Sequence, residues 1–501
     1  MTEVKTLIRN ITYNFISYFW LAILAFLTTP YIVKKLGTDA YGILAFLGIL
    51  ITYLSLLDFG IGWASIKYIS EHYARNEKEE IGKIIGTNVF INFIVGLLGA
   101  VLIVIFTDFF VSSFLKIPEE LKKETHLVFY ISALSFILNM LFAAYGNIPQ
   151  ALQRFDIFNR VRIVLNTIGT LGTVLFLYLG FFLRGIVILN AILFGLNAIS
   201  FLIVTKSLLP DISIRPRFDF TTFRKLFKYG GKLTSGNIFA QTNEQMDRLF
   251  IGLLLPIASL TYYAIPFNFV AQLKLISTNV ARVILPASSE LYGLNRDADL
   301  KELYLRATKL VFSMLLPFLI LTLVWGRKLL LFWLDESFAS KSTLAFKILA
   351  IAATFSWSAS IATVVSQGVN RLGIWIRYVV GLTLTNLILY IFLISKFGIN
   401  GAAFSILISS LIWVPYLIHK VNSKIIKISN FGMIQKSFLN PILLGLGFFI
   451  FLYFINPLAN NLISLIILSI LMIIIYASFG YFIILDLRDR REIRNFLYGK
   501  N

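Results

Sequence analysis

The sequence predicts an all-α integral membrane protein, on three observations: its apolar content, the regular spacing of long apolar runs, and a repeat that spans six of them. Of 501 residues, 58% are apolar and 14% charged, with a mean hydropathy of +0.82. A water-soluble domain of this size could not carry such a surface without aggregating, so lipid must solvate most of it.

Runs long enough to cross about 30 Å of hydrocarbon at 1.5 Å per residue fall near 11–33, 41–66, 84–106, 127–148, 161–182, 185–205, 230–255, 258–286, 307–325, 343–368, 372–395, 400–419, 437–456 and 460–485. The expectation is about fourteen transmembrane helices. The first run is too long for a signal-peptide core and continues into Pro30 and Lys34-Lys35 without a small-residue cleavage site, which reads as a retained first helix. The division between 161–182 and 185–205 rests on Arg184 and Gly185 alone.

The chain has no cysteine, which removes disulfides, thiolate metal ligands and cysteine nucleophiles together. Its net charge of +20 would suggest nucleic acid in a soluble protein, but here the basic residues are scattered through short connections, so no nucleic-acid partner is expected. With a cytoplasmic N-terminus, and with residues near span ends counted in the adjoining loop, 31 Lys and Arg fall on the cytoplasmic side and 11 on the other. That bias predicts a multi-pass protein of the cytoplasmic membrane with both termini inside, beside anionic membrane lipids. The richest cytoplasmic segment carries Arg215, Arg217, Arg224, Lys225 and Lys228 at mid-chain, and it reads as a linker.

Self-similarity supports that division. Ser70-Glu71-x-Tyr73-x-x-Asn76 recurs as Ser289-Glu290-x-Tyr292-x-x-Asn295. Gln150, Arg154, Ile157 and Arg160 recur as Gln367, Arg371, Ile374 and Arg377, and Gly180 as Gly398, all at nearly one offset. A unit of six spans is even, so the halves share one orientation and form two six-helix lobes related by a parallel pseudo-repeat. The expected organisation is residues 1–205 as the first lobe, 206–229 as the cytoplasmic linker, 230–420 as the second lobe, and 421–501 as two additional helices with a cytoplasmic tail. Matched lobes suit a transporter that holds its substrate between them and rocks.

Ionisable groups within spans are costly and mark function. Asp58, Glu244, Asp247, Arg248, Lys274 and Arg282 stand inside. At 100° per residue, Asn237, Gln241, Glu244 and Arg248 fall within about 60° on the seventh span. Asn268, Gln272, Asn279 and Arg282 make a stripe about 80° wide on the eighth, with Lys274 at its flank. Such stripes face a wet cavity or one another rather than lipid. Glu244 and Arg248, spaced i and i+4, can neutralise each other. Asp58, near Gly60 and Gly62, can pair with a cation. Arg282 and Lys274 have no carboxylate on their own span, which suits them to an anionic substrate. Amides in spans also serve as glue between helices. His72, His126 and His419 lie in loops or at span ends, away from any proton relay.

No phosphate loop, dinucleotide fingerprint or zinc pattern occurs, so neither cofactor nor metal is expected and the chain does not read as an enzyme. Asp297-x-Asp299 reads as a solvated helix start.

The segments Pro30-Tyr31-Ile32-Val33, Leu36-Gly37 and Tyr41-Gly42-Ile43, with Asp247-Arg248-x-x-Ile251-Gly252 and Tyr262-Tyr263, resemble the polysaccharide or O-antigen flippase branch of the multidrug/oligosaccharidyl-lipid/polysaccharide exporter superfamily. The resemblance covers essentially the whole chain. It implies a MATE-like pair of lobes that turns over a polyprenyl-diphosphate-linked oligosaccharide to the outer leaflet. It also implies a glycan-lipid partner, with polysaccharide polymerase and chain-length proteins in the same pathway. Two other readings stay open: a cation-coupled small-molecule antiporter of the same fold, and a membrane-embedded glycosyltransferase or polymerase. The latter would need a catalytic carboxylate in a sizeable external loop.

Overall fold

A computed structural model of the chain describes residues 2–484 together with Arg490. In lipid every backbone N–H and C=O must be satisfied within its own segment, and the described residues accordingly form a succession of helices. Two compact units result, Met1–Thr261 and Tyr262–Asn501.

The first unit holds α1 (Thr2–Leu36), α2 (Thr38–Leu54), α3 (Ile61–Ala74), α4 (Lys78–Asp108), α5 (Glu119–Ala151), α6 (Phe155–Tyr178), α7 (Phe182–Leu208) and α8 (Phe220–Leu254), and it ends in the first turn of α9 (Ile257–Ala271). Ile61, Ile85, Val89, Ile148, Phe201 and Leu226 form a shared core between α3, α4, α5, α7 and α8. The segment before α8 lies against α4: Arg217 N–H donates to Gly86 O at 3.2 Å, and a Cβ on Gly86 would come within 2.8 Å of the Arg215 carbonyl oxygen. Lys78 donates to Asp211 at 2.6 Å and holds that carboxyl below its usual range. Asp219 caps α8 by accepting from Thr222 N–H at 2.7 Å.

The second unit holds α10 (Lys274–Gly293), α11 (Asp297–Trp333), α12 (Glu336–Ser358), α13 (Ser360–Gly368), α14 (Leu372–Phe397), α15 (Ile399–Val421), α16 (Asn430–Met433), α17 (Leu439–Ile455) and α18 (Leu462–Ile483). Tyr304, Val311, Ile361, Val365 and Val414 form one core. The two C-terminal helices make a second with α11, through Leu316, Trp325, Phe448, Leu452, Met472 and Tyr476.

Element boundaries follow the sequence offset. Lys78, the start of α4, corresponds to Asp297 at the start of α11; Glu119 and Ala151, the ends of α5, correspond to Glu336 and Gly368, the outer ends of the α12–α13 pair. The turns correspond as well. After α3, Asn76 is left-handed at φ 56°; after α10, Asn295 is left-handed at φ 55°. Gln153 after α5 and Asn370 after α13 have φ 56° and 57°. At each of the four, the left-handed residue's N–H and the next one close back on the helix in a Schellman turn, as Glu77 N–H to His72 O and Arg296 N–H to Leu291 O, at 3.0 and 2.9 Å. Asn tolerates this conformation, which is why it recurs there. Gly180 and Gly398, both at positive φ, separate α6 from α7 and α14 from α15. The first of these places the break a few residues before Arg184.

Among the described residues, twelve helical stretches are long and apolar enough to cross a membrane. The expected count of about fourteen exceeds this by the seventh and eighth spans. Helix α8 is long enough, about 52 Å by its rise, but its polar residues lower its hydropathy. The eighth expected span, 258–286, is interrupted by a turn at Gln272 and Leu273, which divides it into α9 and α10. The second expected span is likewise broken, by a 3-10 turn at Ser55–Asp58 ahead of α3.

Candidate functional site

Asp58 ends that 3-10 turn. Its carboxylate accepts from Gly60 N–H at 2.6 Å and Gly62 N–H at 3.3 Å, so backbone donors hold it where the sequence suggested a cation. The chain turns sharply there: Phe59 and Gly60 are both left-handed, at φ 50° and 74°. This brings the backbone of the loop onto α8. A Cβ on Gly230 would fall 2.7 Å from Gly60 O, and one on Gly60 would fall 2.8 Å from Gly230 O.

Farther along α8 the polar residues divide between two faces. Gln241 and Glu244 are exposed, while Asp247 is 1% exposed. Arg248, its side chain 12% exposed, has its Nε 3.6 Å from the Asp247 carboxylate, and its guanidinium donates to the backbone carbonyl of Glu244 at 2.6 Å. Arg248 N–H closes on Asp247 at 2.8 Å. The guanidinium thus reaches the main chain of Glu244 one turn back, and the adjacent Asp247 supplies a carboxylate. Tyr53 on α2 donates to Thr242 O at 3.0 Å and ties α2 to this stretch. The side chain of Asn237 lies outside the described residues.

In the second unit, Asn268 on α9, Gln272 in the turn, and Lys274, Asn279 and Arg282 on α10 are all exposed. Neighbours such as Val270, Ser277 and Ile284 turn inward. The residues of the stripe deduced from helical periodicity are thus all exposed, on the two sides of a helix break and beside exposed Val283 and Leu285. Ser277 and Thr278 hydroxyls donate to the Lys274 carbonyl at 3.0 and 2.8 Å, which satisfies both hydroxyls within α10. Arg282 has no carboxylate partner among the described residues.

Sequence reasoning missed Lys309, which is buried in α11. Its place near the start of an apolar run made it look like a loop residue. It also missed the close crossing of Gly60 and Gly230, for which separated glycines give no signal. The histidines stay at helix ends: His126 faces Asp108 at 2.9 Å, and His419 faces Asn430 at 3.1 Å. No group of three or more His, Cys, Asp or Glu residues placed to hold a metal occurs among the described residues.

Residues 34–343 match the family model described as "Polysaccharide biosynthesis protein", which is more than half of the chain. The chain belongs to the polysaccharide biosynthesis protein family. It is 25% identical over 407 residues to the Shigella flexneri protein named "Putative O-antigen transporter", covering 80% of this chain and 94% of that one. It is 23% identical over 497 residues to "Uncharacterized membrane protein MJ1068" of Methanocaldococcus jannaschii, covering 92% of each. Its fold matches "Lipid II flippase MurJ, inward closed conformation" with a TM-score of 0.72 at 18% identity, over 94% of this chain and 99% of that one. An inward-facing MATE family transporter of the MOP superfamily matches with a TM-score of 0.65 at 13% identity, over 80% and 94%. Gly42 has a local reason here. A Cβ on it would collide with the carbonyl oxygen of Ile257, so only glycine lets the first turn of α9 rest on α2.

Proposed function

We propose that this protein is a membrane transporter of polysaccharide biosynthesis that turns over a polyprenyl-diphosphate-linked oligosaccharide from the cytoplasmic to the outer leaflet by alternating access. The observation that carries this reading is the exposed polar face of α9 and α10, which sets Arg282 and Lys274 among Asn268, Gln272 and Asn279. A cation inside a bilayer costs at least about 2.5–3.5 kcal/mol by insertion scales, so a member that keeps Arg282 without a carboxylate needs water or an anionic ligand. A lipid diphosphate supplies the anion, and the amides supply donors and acceptors for sugar hydroxyls. Gln241, Glu244 and Arg248 on α8 contribute further polar groups, with Asp247 positioning Arg248 and Asp58 holding the α2–α3 turn. The relative named for O-antigen transport and the family's place in polysaccharide biosynthesis support a glycan-lipid substrate.

We read the matched turns and helix starts as a parallel repeat of six spans, joined by 206–229, with α8 and the α9–α10 pair as the two spans that complete fourteen. In this reading both termini are cytoplasmic. The test is complementation of a strain lacking its own O-antigen flippase, with termini carrying reporters active on only one side. Restored surface polysaccharide supports the reading; growth of lipid-linked intermediates inside the cell despite normal protein abundance overturns it.

A further inference from the structure

Two ammonium groups converge on one tyrosine ring at one end of the first unit. Lys67 Nζ lies 4.1 Å from the centre of the Tyr68 ring, and Lys225 Nζ lies 4.3 Å from the same centre. Lys67 is also 4.6 Å from the centre of Tyr229, and the two rings meet edge to face at 5.7 Å. Lys67 and Tyr68 belong to α3, Lys225 and Tyr229 to α8, and the Gly60–Gly230 crossing fixes the two helices against each other.

Cations sharing a ring repel one another, and the ring's negative face offsets only part of that. The countercharge nearby is spread thin. Glu71 stands 3.9 Å from Lys67 but 2.9 Å from Arg75, so one carboxylate serves both. Lys225 donates to His72 Nε2 at 3.1 Å, while the other ring nitrogen of His72 is taken by Glu77. Both lysines remain exposed.

An apolar shelf adjoins them. The stretch Thr38–Asp58 that qualifies as a span ends directly before Phe59. Trp63, one helical turn before Lys67 on the same face, is 66% exposed. Phe59 and Phe227 are each 43% exposed, their rings 5.7 Å apart. Trp is a residue type enriched where lipid chains meet headgroups. The positions equivalent to Lys67 and Tyr68 in the repeat are Pro286 and Ala287, so the second half has no counterpart.

We propose that the crevice between α3 and α8 is a binding site for an anionic, phosphate-headed lipid. Lys67 and Lys225 bind the phosphate oxygens, and the chain lies over Phe59, Trp63 and Phe227. The site is separate from the polar face of α9 and α10 and does not rest on the transport reading.

The full chain, purified in detergent, is titrated with phosphatidylglycerol, with decaprenyl diphosphate, and with zwitterionic phosphatidylcholine, and bound lipid is read by native mass spectrometry. Charge-assisted bonds to phosphate are worth enough that Lys67→Gln with Lys225→Gln should weaken anionic-lipid binding at least about tenfold. Lys67→Arg with Lys225→Arg should retain it, which shows that the fold survives substitution. Lys424→Gln with Lys436→Gln, an equal change in charge on the other unit, should leave it unchanged. Lysine-dependent binding of phosphatidylglycerol, of the polyprenyl diphosphate, or of both supports the site and identifies its source as bulk lipid, carrier or either. Binding that survives in the Lys67→Gln/Lys225→Gln protein, or that falls equally in the Lys424/Lys436 variant, overturns it. Normal lipid binding without translocation would count against the transport reading and leave this site standing.

Discussion

Ser70 donates its hydroxyl to the carbonyl oxygen of Ala151 at 2.6 Å, and Ser289 makes the same bond to Gly368 at 2.9 Å. Each serine also reaches back four residues on its own helix, to Ile66 O at 2.9 Å and Leu285 O at 3.1 Å. One hydroxyl thus links the end of α3 to the end of α5, and its counterpart links the end of α10 to the end of α13. Loss of an exposed to part-buried hydrogen bond of this kind costs about 0.5–1.5 kcal/mol. Ser70→Ala and Ser289→Ala should therefore lower the thermal unfolding midpoint in detergent by similar amounts. A large effect from one and none from the other would show that the repeated bond is geometric only.

The crossing of α3 and α8 makes a sharper demand. Gly230→Val would push a side chain into the Gly60 carbonyl, and overpacking of this kind costs about 1–3 kcal/mol. Gly60→Ala adds the strain of a left-handed residue. Gly231, next along α8, has open space around it, so Gly231→Ala should be neutral. Equal unfolding midpoints for the Gly230→Val and Gly231→Ala proteins would mean that the helices slide apart at no cost.

Much of this fold is legible in the sequence because lipid and periodicity act through simple rules. The apolar runs mark helices, and asparagine at the end of Ser-Glu-x-Tyr-x-x-Asn marks a left-handed turn that both copies adopt. What escaped depends on neighbours far away in the chain. The break at Gln272 and Leu273 falls in a run apolar enough to read as one helix. The carboxylate of Asp58 looked available for a cation because backbone donors such as Gly60 N–H leave no trace in composition. Likewise the i, i+4 spacing of Glu244 and Arg248 gave no sign that the guanidinium also reaches the main-chain oxygen of Glu244. Asn268, Gln272, Asn279 and Arg282, grouped by helical geometry in the sequence, are each exposed, within and on the two sides of the break at Gln272 and Leu273.

Asp247 and Arg248 test how the buried part of α8 is neutralised. Removing one partner of a buried pair leaves a charge without compensation and costs about 3–5 kcal/mol, whereas removing both is far milder. Arg248→Gln alone should thus reduce protein abundance and the unfolding midpoint more than Arg248→Gln combined with Asp247→Asn, a non-additivity that a double-mutant cycle measures directly. Additive losses would mean that Asp247 takes its stabilisation from elsewhere in the first unit.

Arg282 and Lys274 carry the last prediction, and it separates chemistry from stability. Both side chains are exposed in the second unit, so neither substitution opens a core, and Arg282 has no carboxylate partner among the described residues. Replacing either by Gln should leave membrane insertion and abundance unchanged, because surface substitutions of this kind stay within about 0.5 kcal/mol. Translocation should fall, since a charge-assisted contact to a phosphate oxygen is lost. Glu at the same position should be worse than Gln, because it adds repulsion to the loss of attraction. The order to measure is therefore wild type above Gln above Glu in surface polysaccharide at constant protein level, with Arg282→Lys partly retained because a point charge replaces a bidentate fork. Full activity in a protein carrying both Arg282→Gln and Lys274→Gln at normal abundance would remove the cations from the mechanism and leave the fold and the family membership intact.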